Sequence, residues 1–266
     1  MDLDRKTSLL LAICLLVLIT WLGLTPPGLL GKTDSIGYAV CHRIPSHSFQ
    51  LGVRPLSLCA RCTGQYLGFL IGLFYQLFFG QRRAKQFPGK GVRVLLIGLI
   101  FVYLLDGFNS YLSLDPRTAT WVIYQPDNSL RLAAGMGAGI SLSAFLLPFF
   151  NRVTWFDGAD RKIFPDPAAW LGLAGAAGLV IFLVLTGNPF FLYPLTLTAA
   201  VGVLLFLTLT YALIWMILFQ REKQFRDWRD LSWILALGLL TGMTQIALFD
   251  LIRYWSTGTW EGFHLG

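Results

Sequence analysis

Charge is scarce in this chain. Only 13% of its 266 residues are Asp, Glu, Lys or Arg, about half the share of an ordinary soluble domain. Residues 168–219 carry none at all. That scarcity excludes a water-exposed globule for most of the length. Cysteine is scarcer still: four residues cannot scaffold a disulfide-rich secreted module. Ionisable groups are also missing from the middle of the apolar runs, which counts against a proton- or ion-coupled transporter, because such proteins place titratable side chains near the bilayer midplane.

What is there is apolar. Hydrophobic residues make up 55% of the chain and the mean hydropathy is +0.62, so the sequence reads as an all-α, polytopic integral membrane bundle whose first partner is the lipid bilayer. Spans are expected at about 8–24, 63–80, 92–112, 130–150, 169–187, 192–219 and 231–250, each near the roughly 20 residues a bilayer requires. Seven transmembrane helices follow, with the fifth and sixth divided at Gly187-Asn188-Pro189. The first span reads as a retained anchor, since Thr25-Pro26-Pro27 offers no small-residue cleavage site.

The formal net charge of +7 sits in short loops, where topology explains it, and no nucleic-acid partner is expected. Lys and Arg are concentrated around residues 5–6, 82–93, 152–162 and 221–229, with half as many on the other side. This bias predicts a cytoplasmic N-terminus. The loop from Thr25 to Cys62 then faces outward, and Asp106, Asn128, Arg131, Asp250 and Arg253 arrive at the same level. Two regions are expected: residues 1–150, a membrane domain of spans one to four carrying the motifs, and residues 151–266, a C-terminal membrane extension of spans five to seven.

That outer loop holds three of the four cysteines, as Cys41-His42 and Cys59-Ala60-Arg61-Cys62. Ser48-Phe49, Thr63-Gly64, Asp106-Gly107 and Asn128-Ser129-Leu130-Arg131 follow. Together, over about Val40 to Gly139, these residues resemble the uncharacterised bacterial and archaeal integral membrane proteins grouped as domain of unknown function 2085. His47 stands where that family's basic residue before Ser-Phe is expected, and Ala134-Gly135 where Thr-Gly is expected. The resemblance implies a prokaryotic cell-membrane protein with a site on these residues, and it supplies no activity.

Three uses of the cysteines stay open. A metal reading takes Cys41, His42, Cys59 and Cys62 as ligands to zinc or a similar soft ion. Adjacent side chains such as Cys41 and His42 diverge, so His47 and Asp106 are further candidates for the fourth position. A thiol-exchange reading rests on Cys59 and Cys62 at a helix N-terminus beside Arg54 and Arg61, where a thiolate is favoured. A structural disulfide from Cys41 is the third. Cys14, inside the first apolar run, reads as packing.

Asp106, Asn128 and Arg131 are the catalytic candidates. Arg131 would hold a lipid head group or small anionic substrate, Asp106 would act as base or ligand, and Asn128 would orient either. The plainer alternative is an interhelical Asp106–Arg131 ion pair, and Asp250 with Arg253 reads as a local pair. Gly64, Gly68 and Gly72, and again Gly135 and Gly139, form small-residue stripes; if they meet, the Cys59 end of one helix lies beside the Arg131 end of another. Trp21, Trp121, Trp155, Trp170, Trp228, Trp233, Trp255 and Trp260 fall near span ends, as interfacial anchors do. A metal-dependent enzyme, a thiol-disulfide oxidoreductase and a non-catalytic stapled subunit all fit these residues.

Overall fold

The computed structural model describes residues 5–164, 166 and 168–261. Its helices are α1 (Arg5–Leu24), α2 (Gly28–Val40), α3 (Ala60–Phe79), α4 (Lys90–Leu112), α5 (Asn128–Thr154), α6 (Ala168–Leu185), α7 (Pro189–Leu218) and α8 (Trp228–Thr257). Six of them, α3 to α8, are long and apolar enough to cross a membrane, and a seventh span results if the bent pair α1–α2 counts as one. Every expected span therefore lies on a helix. Side chains such as Val94, Leu95, Ile97 and Phe101 of α4 stay exposed, as a lipid-facing surface requires.

Gly187-Asn188-Pro189 ends one helix and starts the next. Gly187 takes a left-handed φ of 64°, the Asn188 side chain accepts from the Phe190 N–H, and Pro189 opens α7, where its missing N–H costs nothing. The segment from Thr25 to Cys62 differs from expectation, because it contains α2. Its 13 residues are too few for a span. After Pro26-Pro27 the chain turns by 107° and lays Thr33, Ile36 and Tyr38 into the protein. Gly37 meets the following loop so closely that a methyl group there would collide with the Ser57 carbonyl oxygen.

The packing of α3 on α5 sets the position of everything else. A side chain on Gly64 or Gly68 would strike the backbone at Leu132 and Met136, and one on Gly135 or Gly139 would strike Arg61, Gln65 and Phe69. The two glycine stripes do meet, letting the backbones approach where lipid offers no hydrophobic drive to associate. Cys59 and Cys62 are thereby brought beside Asn128 and Arg131. The main apolar core joins Trp21, Leu132, Met136, Val203, Met243 and Ile246, so it crosses residue 150.

Strands are minor: β1 (Gln50–Leu51) pairs antiparallel with β2 (Arg54–Pro55), and β3 (Ala84–Gln86) pairs parallel with β4 (Ala159–Lys162). The second pair ties together two basic loops, with Arg83 bonded to Asp157 at 2.8 Å and lying 4.3 Å over the Trp155 ring. Trp155 is fully buried and bonds Asn151, so it is a core residue and not the interfacial anchor its position near a span end suggested.

Candidate metal centre and its polar surround

Each cysteine owes its place to a helix end. Cys41 closes α2, Cys59 precedes the first turn of α3, and Cys62 lies within that turn. Their sulfur atoms lie within 4.8 Å of one another, and all three are free thiols. Thiolates about 2.3 Å from a tetrahedral ion stand roughly 3.8 Å apart, whereas a disulfide draws two sulfurs to about 2.05 Å. The spacing fits the first arrangement.

Backbone donors converge on one of these sulfurs. The N–H groups of Arg43 and Cys59 donate to Cys41 Sγ at 3.5 and 3.4 Å. Arg43 achieves this with a left-handed φ of 52°, a conformation rare for a residue with a side chain and held only where surroundings enforce it. The neighbouring thiol of Cys59, followed by that of Cys62, also donates to Cys41 and holds it well below the usual thiol range. Cys59 is pushed up to about 12, chiefly because it keeps its proton to donate to Cys41. Negative charge in the cluster therefore resides first on Cys41.

His42, expected among the ligands, stands outside this group. Its Nδ1 accepts from the Ile44 N–H at 3.1 Å, and its ring meets His47 edge to face with centroids 5.6 Å apart. Burial lowers the pKa of both histidines, to about 4 for His47, so both are neutral at pH 7. The cause is the one sequence geometry suggests: side chains on adjacent residues point apart.

Two supports of the cluster escaped the sequence reading. Arg253 of α8 donates to the carbonyls of Tyr38 and Cys41 at 2.7 Å each and of His42 at 3.1 Å, and its guanidinium lies 4.0 Å over the Tyr38 ring. It thus satisfies carbonyls that the end of α2 leaves open. Asp250 accepts from Trp21 Nε1 at 3.0 Å, and its carboxylate also interacts electrostatically with Arg253, the partner expected for it. Asp34 of α2 is the second support, bonded to Arg43 at 3.1 Å, to Arg54, and to Ser57 Oγ at 2.7 Å. It is the only carboxylate between Asp4 and Asp106, a signal that could have marked it.

Asp106 is almost fully buried, and its partner is Arg61, not Arg131. Arg61 Nε donates to Oδ2 at 2.8 Å, and Tyr124 OH donates to Oδ1 at 2.7 Å. The Tyr124 phenol is pushed up to about 12 by its burial and by this bond, so it stays a donor. Ser110 Oγ links Arg61, at 2.7 Å, to Arg131, at 3.3 Å. Arg131 in turn donates to Asn128 Oδ1 at 2.8 Å, and Asn128 Nδ2 donates to the Ser46 carbonyl at 3.2 Å. The interhelical ion pair exists, but α3 supplies its cation. Arg61 leaves the first turn of α3 toward α4, while Arg131 is occupied by Asn128 one turn before it on the same helix.

A cleft of 280 Å³ borders the thiols, lined by Tyr38, Cys41, His42, Phe249 and Arg253 among others. Of the three cysteines only Cys41 is in its lining. The three sulfurs, the cleft and the Arg61–Asp106–Arg131 network all lie at one end of the bundle, and the β3–β4 loops at the other.

Residues 41–145 match the model of a family described as predicted membrane protein (DUF2085). Two archaeal proteins are similar over nearly the same length. One, from Methanocaldococcus jannaschii and described as uncharacterized protein MJ1492, is 28% identical over 116 residues, 44% of this chain and 67% of its own. The other, from Methanothermobacter thermautotrophicus and described as an uncharacterized protein, is 27% identical over 104 residues, 39% of this chain and 81% of its own. No solved structure matches. The three clustered cysteines, Asp106, Asn128 and Arg131 fall inside the family match; Asp34, Asp250 and Arg253 fall outside it.

Proposed function

We propose that the chain, whose residues 41–145 match the model of a family described as predicted membrane protein (DUF2085), holds a soft metal ion, zinc first, on Cys41, Cys59 and Cys62. The three sulfurs within 4.8 Å of one another carry this reading. A divalent cation would also allow Cys59 and Cys62 to ionise beside Cys41, which their mutual repulsion otherwise opposes. Zinc is preferred because thiolates are soft donors and the ion accepts tetrahedral geometry without redox change. The positive-inside bias supports reading this end as the outer face of a prokaryotic membrane.

No histidine or carboxylate joins the three sulfurs among the described residues, and the cleft adjoins Cys41 and His42. Cys41, Cys59 and Cys62 would hold the ion and leave room for a further donor from the cleft, whose lining includes His42. An ion with an open position supplies Lewis acidity there, which makes the protein a metal-dependent membrane enzyme acting at head-group level. Arg131 would hold an anionic group of the substrate. Both Asp106 oxygens are engaged, which favours a positioning role over a general base: Asp106 fixes Arg61 and, through it, the turn bearing Cys59 and Cys62. Asn128 orients Arg131.

Elemental analysis and thiol counting on detergent-purified protein test this. About one equivalent of metal per chain, lost in C59S/C62S, is the expected result. No metal, with two thiols oxidised, overturns it in favour of thiol exchange. That second reading draws on the preferred ionisation of Cys41 beside two further thiols.

A further inference from the structure

Between α1 and α8 lies a cavity of 660 Å³, lined by none of the three clustered cysteines, whose lining includes Leu16, Trp21, Leu248, Asp250, Tyr254 and Trp260. Its rim opens sideways into lipid, since Leu16 and Leu251 are each 65% exposed. The size is that of a small-molecule site. Asp250 is the one charged side chain in the lining. It is 3% exposed; Oδ2 accepts from Trp21 Nε1, and Oδ1 has no hydrogen-bond partner.

An unpaired carboxylate oxygen in an apolar, lipid-facing cavity is costly. It rarely persists in a folded protein without a ligand or function to explain it. From this we infer that the cavity binds a membrane-soluble amphiphile whose head donates a hydrogen bond to Asp250 Oδ1 and whose apolar body lies along Leu16 and Leu248. Trp21, Tyr254 and Trp260 line the same cavity, an aromatic wall that suits an apolar body carrying a hydroxyl or an ammonium group. A bare acyl chain fills the volume but leaves the oxygen unpaired. The chemistry required is thus one donor on an apolar body, with a hydroxyl or an amine as its two sources.

The test uses the full chain in lipid nanodiscs and three diazirine-bearing probes of equal length: a fatty alcohol, the matching fatty amine, and a methyl ether that lacks the donor. Cross-linked peptides are mapped by mass spectrometry. The alcohol or the amine should label α1 near Trp21 and α8 near Asp250 at least about tenfold more than the ether, as expected when a buried acceptor otherwise lacks a hydrogen-bond partner. Preference for the alcohol identifies a hydroxyl-headed ligand, and preference for the amine an ammonium-headed one. Asp250→Asn should abolish that preference while keeping the bond from Trp21. Ala247→Phe should block labelling by filling the cavity with Asp250 intact, so it carries the test if the Asn variant does not fold. Equal labelling by all three probes, or a donor preference that survives in either folded variant, overturns the inference. Metal content is measured on the same samples and should not change, so the result stands apart from the thiol site.

Discussion

Cys41 differs from its two neighbours because two backbone N–H groups and two thiols point at its sulfur. Metal loading must therefore displace protons mainly from the other two cysteines, of which Cys59 is pushed up to about 12 by its bond to Cys41. The sign follows: a group whose pKa is raised in the apo site resists ionisation, so lower pH favours the protonated apo site and higher pH favours the ion. Zinc affinity should rise about tenfold or more per pH unit between pH 6 and 8, with proton release on binding. Calorimetry in buffers of different ionisation heat measures both; pH-independent affinity would contradict thiol ligation. The Arg61–Asp106 pair permits a second residue-scale prediction. Arg61→Leu or Asp106→Leu alone should destabilise by roughly 3 kcal/mol, because each strands a buried charge, and the double variant should recover much of that loss. Thermal unfolding in detergent reads all three, and a double variant as unstable as the sum of the singles would mean that the two do not act together.

At the scale of elements, the site depends on how closely α3 and α5 approach. Gly68→Val would drive a side chain into Met136, whereas the same change at Gly98 of α4 meets nothing within 4 Å. The first should cost about 1–3 kcal/mol or more and lower metal occupancy, while the second should leave both near wild type. Equal effects at the two positions would show that the stripe is not the contact that builds the site. Spans were legible because twenty apolar residues in a row have no other use, and the glycine stripes because period four on a helix is one face. The helix α2 was not, since thirteen mixed residues after two prolines carry the composition of a loop. Contact with Ser57, α7 and α8 holds them as a helix.

For the whole molecule, Arg253 joins the last helix to the cysteine loop and thereby links the C-terminal region to residues of the family match. Arg253→Met should keep the aliphatic bulk but leave the Tyr38, Cys41 and His42 carbonyls without that donor, speeding metal loss to a chelator about tenfold. Unchanged release would mean that the region after residue 150 does not support the site. Orientation is tested on intact cells. A membrane-impermeant thiol reagent should label Cys41, Cys59 and Cys62 from outside once metal is stripped, and labelling only after the membrane is opened would reverse the topology.

By itself the sequence determined the helical membrane class, the spans and the three cysteines, because hydropathy, span length and motif spacing are local properties of the chain. It also implied that Asp106 needs a partner, since a carboxylate near lipid is costly unpaired. Which partner was a tertiary matter. Arg61 and Arg131 are both within reach in principle, and only the directions in which α3 and α5 project them assign the carboxylate to Arg61. The exclusion of His42 from the sulfur cluster, the use of Arg253 on the α2 carbonyls, and the burial of Asp250 in a cavity wall with one oxygen lacking a hydrogen-bond partner have the same origin. Each depends on a contact between helices far apart in sequence, and no local pattern records such a contact.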